Sequence, residues 1–253
     1  MKRSRKHSTI LGSAALFGIA ALAWSYQART AVTPSDDPLI AGFRRTTIAS
    51  ISDAVDQITG RRGFMNHDMQ LQTPGRLVGR ATTAVIRPAA RAADSTPATA
   101  IRHAVEMIDN AAPGSVGVIV VEGGPDMTGL GGLMATAAKA RQMAGVVVDG
   151  SIRDVEEIRA LGLTVVARGR VPATAVGRYI SVSRDAEIRC GGVTVRPGDV
   201  IAGGEDGVVV VPGEHAPAVL QRAQEIDQRE TRMAPFIKKF RSLAKAIQAF
   251  DRI

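Results

Sequence analysis

The run VVVDGSIRD, residues 146–154, puts two carboxylates and a guanidinium at the end of an apolar segment. An aspartate is an oxygen ligand for a hard cation, and an arginine beside it is a permanent cation with a forked set of donors. Asp154 also stands where a helix N-cap belongs, because VEEIRALG follows it. Capping accounts for one carboxylate; it leaves Arg153 and Asp149 unexplained. A second candidate is GGPDMTGLGG, residues 123–132, which has neither the G-K-[ST] of a phosphate loop nor a G-x-G-x-x-G spacing. Gly131, Gly132, Leu133 and Met134 nonetheless open a helix, and unpaired N–H groups at such a start can hold a carboxylate or a phosphate.

Other chemistry is thinly represented. Cys190 is the single cysteine, which excludes an intramolecular disulfide and reads as a small core residue. The four histidines, His7, His67, His103 and His215, fall in no zinc spacing. Lys139 is the only lysine between residue 7 and Lys238, which disfavours Schiff-base catalysis.

The elements that must position these residues follow from periodicity. TTIASISDAVDQITG, residues 46–60, predicts a helix ending on a glycine C-cap, and LVGRATTAVIR, residues 77–87, a strand. RPAARAADSTPA is a loop and TAIRHAVEMIDNA a helix. From residue 116 the pattern is βαβ: strand VGVIVVEG, a glycine-rich connection, helix LMATAAKARQM, strand AGVVVDG, helix VEEIRALG, strand LTVVARG. Apolar runs without alternation imply strands covered on both faces. AEIRCGGVTVRPGDVIAGGEDGVVVVP supplies short strands separated by glycine turns, and the C-terminal segment is helical with a break expected at Pro235. Arg153 and Asp154 then lie beyond the carboxyl end of a strand, where open α/β sheets bind ligands.

Composition sets the outer limits. With 45% hydrophobic, 22% charged and only 4% aromatic residues, the chain packs an aliphatic core. The formal charge of +8 owes four to Lys2, Arg3, Arg5 and Lys6, which precede the apolar run ILGSAALFGIAALAW at residues 10–24. A basic head, an apolar middle and small-residue cleavage sites make a secretory signal peptide, which implies a periplasmic or secreted protein. As a helix the run reaches only about 22 Å, short of a bilayer core of roughly 30 Å. An uncleaved N-terminal anchor is the alternative. Without the signal no stable membrane span remains, and the charge falls to about +4, weak grounds for nucleic-acid binding. The basic stretch IKKFRSLAK reads as a solvated helix face.

GGLMATAAKARQMAGVVVDGSIRDVEEI, with GGVTVRPGDVIAGGEDGVVVVP downstream, resembles the RraA-like family, which includes 4-hydroxy-4-methyl-2-oxoglutarate aldolases with oxaloacetate decarboxylase activity. ISDAV, PGRLVGRATTAV and APGSVGVIVVEGG extend the resemblance over about residues 40–250. It implies a layered α/β/β/α sandwich of the swivelling-domain-like type: signal and linker at 1–35, a catalytic domain at 36–230 and a C-terminal helical extension at 231–253. It also implies a Mg²⁺- or Mn²⁺-dependent carbon–carbon lyase acting on a 2-oxo acid, assembled as a homotrimer or hexamer with sites between subunits. The same resemblance puts the metal on Asp154, the substrate on Arg153, and the substrate's carboxylate end on residues 131–134. Cleavage beside a 2-oxo group leaves a pyruvate enolate, whose charge a cation and Arg153 would stabilise. Two positions depart from the family pattern, since Gly132 and Gly204 stand where many members carry acids. Members that bind a ribonuclease without catalysis make a regulatory binding protein the alternative function.

Overall fold

The computed structural model describes residues 37–250. The signal peptide and linker expected at 1–35 lie outside these residues. Helix α1, Pro38–Arg45, begins just past that linker, because Asp37 caps it by accepting the N–H of Leu39 at 2.9 Å and proline is pre-shaped for a first turn. Helix α2, Ile48–Thr59, is capped by the Thr47 hydroxyl and closes on Gly60 in the left-handed conformation, as the sequence predicts.

The remaining elements run in chain order. They are β1 (Gln70–Leu71), β2 (Leu77–Pro88), α3 (Pro97–Ala100), α4 (Arg102–Asn110), β3 (Val116–Val121), β4 (Thr128–Leu130) and α5 (Gly132–Ala140). Then follow β5 (Gly145–Ile152), α6 (Val155–Ala160), β6 (Val165–Arg170), β7 (Tyr179–Arg184), β8 (Ile188–Cys190), β9 (Val193–Val195), β10 (Val200–Gly204), β11 (Gly207–Val211), α7 (Ala216–Phe240) and α8 (Leu243–Phe250).

Strands β2, β3, β5 and β6 are parallel neighbours, and β10 and β11 extend the sheet antiparallel from the first half of β2 while β7 pairs with its second half. The segment from Phe64 to Leu71 joins the two edges. Phe64 bridges Val209 on β11, and β1 pairs with β6, so the sheet is nearly closed. Each strand's alternation splits its valines between two cores. On β3, Ile119 and Val121 face outward to α4, α5 and α6, whereas Val116, Val118 and Val120 face an inner layer shared with β10, β11 and the β8–β9 hairpin. A third core packs α1, α2 and α7 on the far side of β10 and β11. The layers are therefore α/β/β/α, as the resemblance implies, with α7 and α8 at the C-terminus.

Three expectations are corrected. Strand β5 does not end at Gly150; it runs on to Ile152, paired with β6 across a bulge. The glycine-rich connection contains β4, laid parallel to the end of β5. Helix α7 passes through Pro235 without a break and stops at Arg241 instead. Packing overrides the proline: Met233 and Ala246 are buried, and Phe236 stacks on Phe240 and Phe250 at 4.5 and 5.7 Å, clamping α8 against α7.

Candidate active site

The end of β5 is held by its neighbours. The N–H of Ser151 donates to the carbonyl of Met127, that of Arg153 to Leu130 at 3.1 Å, and that of Val171 to Ile152. Strand β4 thus fixes where β5 stops, and the chain leaves it through Asp154 in the left-handed conformation, φ 57° and ψ 40°, a region that aspartate tolerates better than most side chains.

That conformation decides what the Asp154 carboxylate does. It makes no capping bond to its own helix α6; it reaches across and accepts the N–H of Gly132 at 2.9 Å, at the first turn of α5. Asp154 is therefore a cap, but for the neighbouring helix. The next two N–H groups, of Leu133 and Met134, have no acceptor within α5, whose first bond runs from Ala135 to Gly131. The Arg153 Nε lies 3.5 Å from Asp154 Oδ2, and both side chains are about two-fifths exposed (40% and 39%).

Residues Gly131 to Met134, Arg153 and Asp154 line one cleft of about 140 Å³, closed on other sides by Ile101, β4 and Thr174 to Val176. Of the residues singled out from the sequence, Arg153 and Asp154 at the strand end and Gly131 to Met134 at the helix start meet here, and Asp149 does not. Gly131 is needed for the cleft. A Cβ on Gly131 would lie 3.0 Å from Asp154 Oδ2 and 3.1 Å from Arg153 Nε, so a side chain there would press on both functional groups. Gly204 is not part of this cleft; it ends β10, where an added Cβ would meet only Ile48.

Glu157 was not anticipated. One turn into α6, its Oε2 occupies the space beside Gly132, 2.2 Å from where a Cβ would sit, and it has no hydrogen-bond or ionic partner among the described residues. A free carboxylate thus stands against the helix start at the very position that lacks an acid in the sequence. The signal was the three-residue step from Asp154, which brings a helical side chain back over the preceding turn.

Asp149, the other carboxylate of the opening run, belongs elsewhere. It shares the parity of Val147 and faces the inner layer, where it pairs with Arg168 Nε and accepts the Gly191 N–H at 2.6 Å. Arg168 also binds Asp68. Burial opposes the charge on Arg168, but the two aspartates outweigh it and push its guanidinium above the usual arginine range. This cluster ties β5, β6 and the segments before β1 and after β8 together.

The fold and cleft define an α/β/β/α protein with an arginine–aspartate pair aimed at a helix start. The family model described as RraA-like: Aldolase/RraA matches residues 48–210, and the chain belongs to the RraA-like family. A Halalkalibacterium halodurans protein named "Putative 4-hydroxy-4-methyl-2-oxoglutarate aldolase" is 32% identical over 186 residues, covering 74% of this chain and 82% of that protein. The crystal structure of an uncharacterized protein from Pseudomonas syringae pv. tomato superposes with a TM-score of 0.75 at 29% identity, covering 86% of this chain and 96% of its own. Streptomyces coelicolor RraAS2, described as an unusual member of the RNase ES inhibitor RraA protein family, gives 0.68 at 26% identity over 78% and 96% of the two chains.

Proposed function

We propose that the protein is a divalent-metal-dependent lyase that cleaves a carbon–carbon bond beside the carbonyl of a 2-oxo acid. The substrate would be of the 4-hydroxy-4-methyl-2-oxoglutarate or oxaloacetate type, and pyruvate the common product. The aldolase name of the Halalkalibacterium relative supports a lyase role. The observation that carries the reading is the convergence of Arg153, Asp154 and Glu157 on the start of α5.

The donor set suits Mg²⁺ or Mn²⁺, since such hard cations take one or two carboxylates and complete their shell with water and substrate oxygens. Asp154 and Glu157 flank Gly132, and only a glycine leaves room for both. The bound cation would act as Lewis acid toward the charge that develops as the bond breaks. The protein's own groups do the rest. Arg153 offers a forked, permanent cation to the substrate carboxylate or the enolate oxygen. The Leu133 and Met134 N–H groups receive the carboxylate end at the helix start. The Gly132 N–H keeps Asp154 oriented. No His, Lys, Tyr or Cys lines the cleft, and Glu157, beside Gly132 at its edge, is the group placed to hold a water that moves the proton.

Leu133, 89% exposed beside the cleft, fits a homotrimer or hexamer in which another subunit completes the wall. The N-terminal sequence supports a periplasmic or secreted location. Incubating the chain with Mg²⁺ or Mn²⁺ and each substrate tests the function. Pyruvate release that Asp154→Ala abolishes is the expected result. No release from either substrate, together with no affinity for either metal, would favour a non-catalytic binding role such as RraAS2's description suggests.

A further inference from the structure

The C-terminal helices lie beyond the residues that match the family model, and they carry a surface that the lyase reading does not use. Residues 231–250 contain five cations, Arg232, Lys238, Lys239, Arg241 and Lys245, and no acid. The last four gather at the corner where α7 ends and α8 begins, and none has an acidic partner among the described residues. Elsewhere the chain's arginines are commonly paired with aspartate or glutamate, as in Arg80–Asp37, Arg87–Glu122 and Arg196–Glu187.

Apolar side chains are exposed at the same corner. Of the six large hydrophobic residues exposed among those described, Phe240 (45%) and Leu243 (58%) sit three positions apart on either side of Arg241. Lys239 Nζ lies 5.2 Å from the centre of the Phe240 ring. The stack of Phe236 on Phe240 and Phe250, with Met233 and Ala246 buried beneath, holds the two helices together, so the corner is formed before anything binds it. A merely solvated face explains the cations but not the outward Phe240 and Leu243. Self-association through this corner would bring like charges together.

We infer that the α7–α8 corner docks on an anionic lipid surface, with Phe240 and Leu243 entering the headgroup boundary and the four cations meeting lipid phosphates. Cations around exposed aromatic and aliphatic side chains are what such a surface selects. No described helix is long and apolar enough to cross a membrane, so the corner would lie on the surface. Each cation near an anionic bilayer contributes about fivefold in partitioning.

The test is co-sedimentation with vesicles of phosphatidylcholine alone or with about one phosphatidylglycerol in four lipids. The chain from Val32 onward is the right sample, since it forms one compact unit holding all three cores and lacks the apolar N-terminal run. Binding should need the anionic lipid and weaken as salt rises from about 0.05 to 0.5 M. Lys238→Glu with Lys239→Glu should cost at least about tenfold. Leu243→Ser should also weaken binding while leaving the urea midpoint and pyruvate release unchanged. Equal binding to both vesicles, indifference to charge reversal, equally tight binding to a single-stranded oligonucleotide, or self-association abolished by Leu243→Ser without lipid would each overturn the inference.

Discussion

Replacing Asp154 separates its two roles, because the left-handed backbone and the cap on α5 make different demands. In Asp154→Ala, the side chain loses the bond to the Gly132 N–H, about 1 kcal/mol for a helix cap. Alanine must also adopt φ 57°, which costs an ordinary residue about 1 kcal/mol more than aspartate or asparagine. The sum of about 2 kcal/mol corresponds to a loss of roughly 4–8 °C in melting temperature for a domain of this size. Asp154→Gly relieves the backbone but not the cap and should fall near half that loss. Asp154→Asn keeps both the conformation and an acceptor, so its melting temperature should stay within about 2–3 °C of the parent. Catalysis should sort differently. All three variants lack the negative charge, and pyruvate release should fall by about 10²–10³ in each. Thermal melts and a coupled pyruvate assay on the same preparations provide the comparison. If Asn destabilises as much as Ala, the cap on α5 is absent. If Asn retains full pyruvate release, the charge of Asp154 is not part of the chemistry.

Three further outcomes follow from the structure. Gly132→Ala should displace the Glu157 carboxylate, which lies 2.2 Å from the added Cβ, and lower pyruvate release at least about tenfold, while stability stays within about 1 kcal/mol because that carboxylate is exposed and movable. Matching kinetics for Gly132→Ala and the parent would remove Glu157 from the site. Cys190 is fully buried, and burial, with the charge of Asp149 adding to it, pushes its thiol well above the usual range. A thiol reagent at pH 8 should leave the native protein unlabelled and modify it once in urea; rapid native labelling would contradict the inner core. Asp199 is buried, and that burial raises its carboxyl above 3.8 despite the N–H groups of Arg196 and Gly213 that it accepts. The folded state therefore binds this proton more tightly, so Asp199's contribution is fully present below pH 3.8 and is lost as pH rises through the raised value. Urea unfolding of the parent relative to Asp199→Asn should shift against the parent across that rise, and a pH-independent difference would refute the assignment.

The local chemistry of the chain determined much of this. Hydrophobic runs without alternation announced β3, β5 and β6 as strands covered on both faces, and Gly60 announced the end of α2, because burial and left-handed backbone are written in residue type. The pairing of Arg153 with Asp154 beyond a strand end was equally legible, as was the helix opening at Gly131. The short strands of the glycine-punctuated segment were legible as well, as β8 to β11, but β4 and β7 were not. These two exist because β5 and β2 offer them edges, and no tight turn joins them to those partners as one joins β8 to β9 and β10 to β11. Pro235 looked like a stop because the sequence shows the lost hydrogen bond but not the packing of α8 that outweighs it. Only the tertiary structure could separate Asp149 from Asp154. The two stand five residues apart, yet strand parity and the left-handed exit of Asp154 send one into the inner layer and the other across to α5. The same folding brings Glu157 against Gly132, since which carboxylate fills a space left by a missing side chain is settled by the path of the backbone.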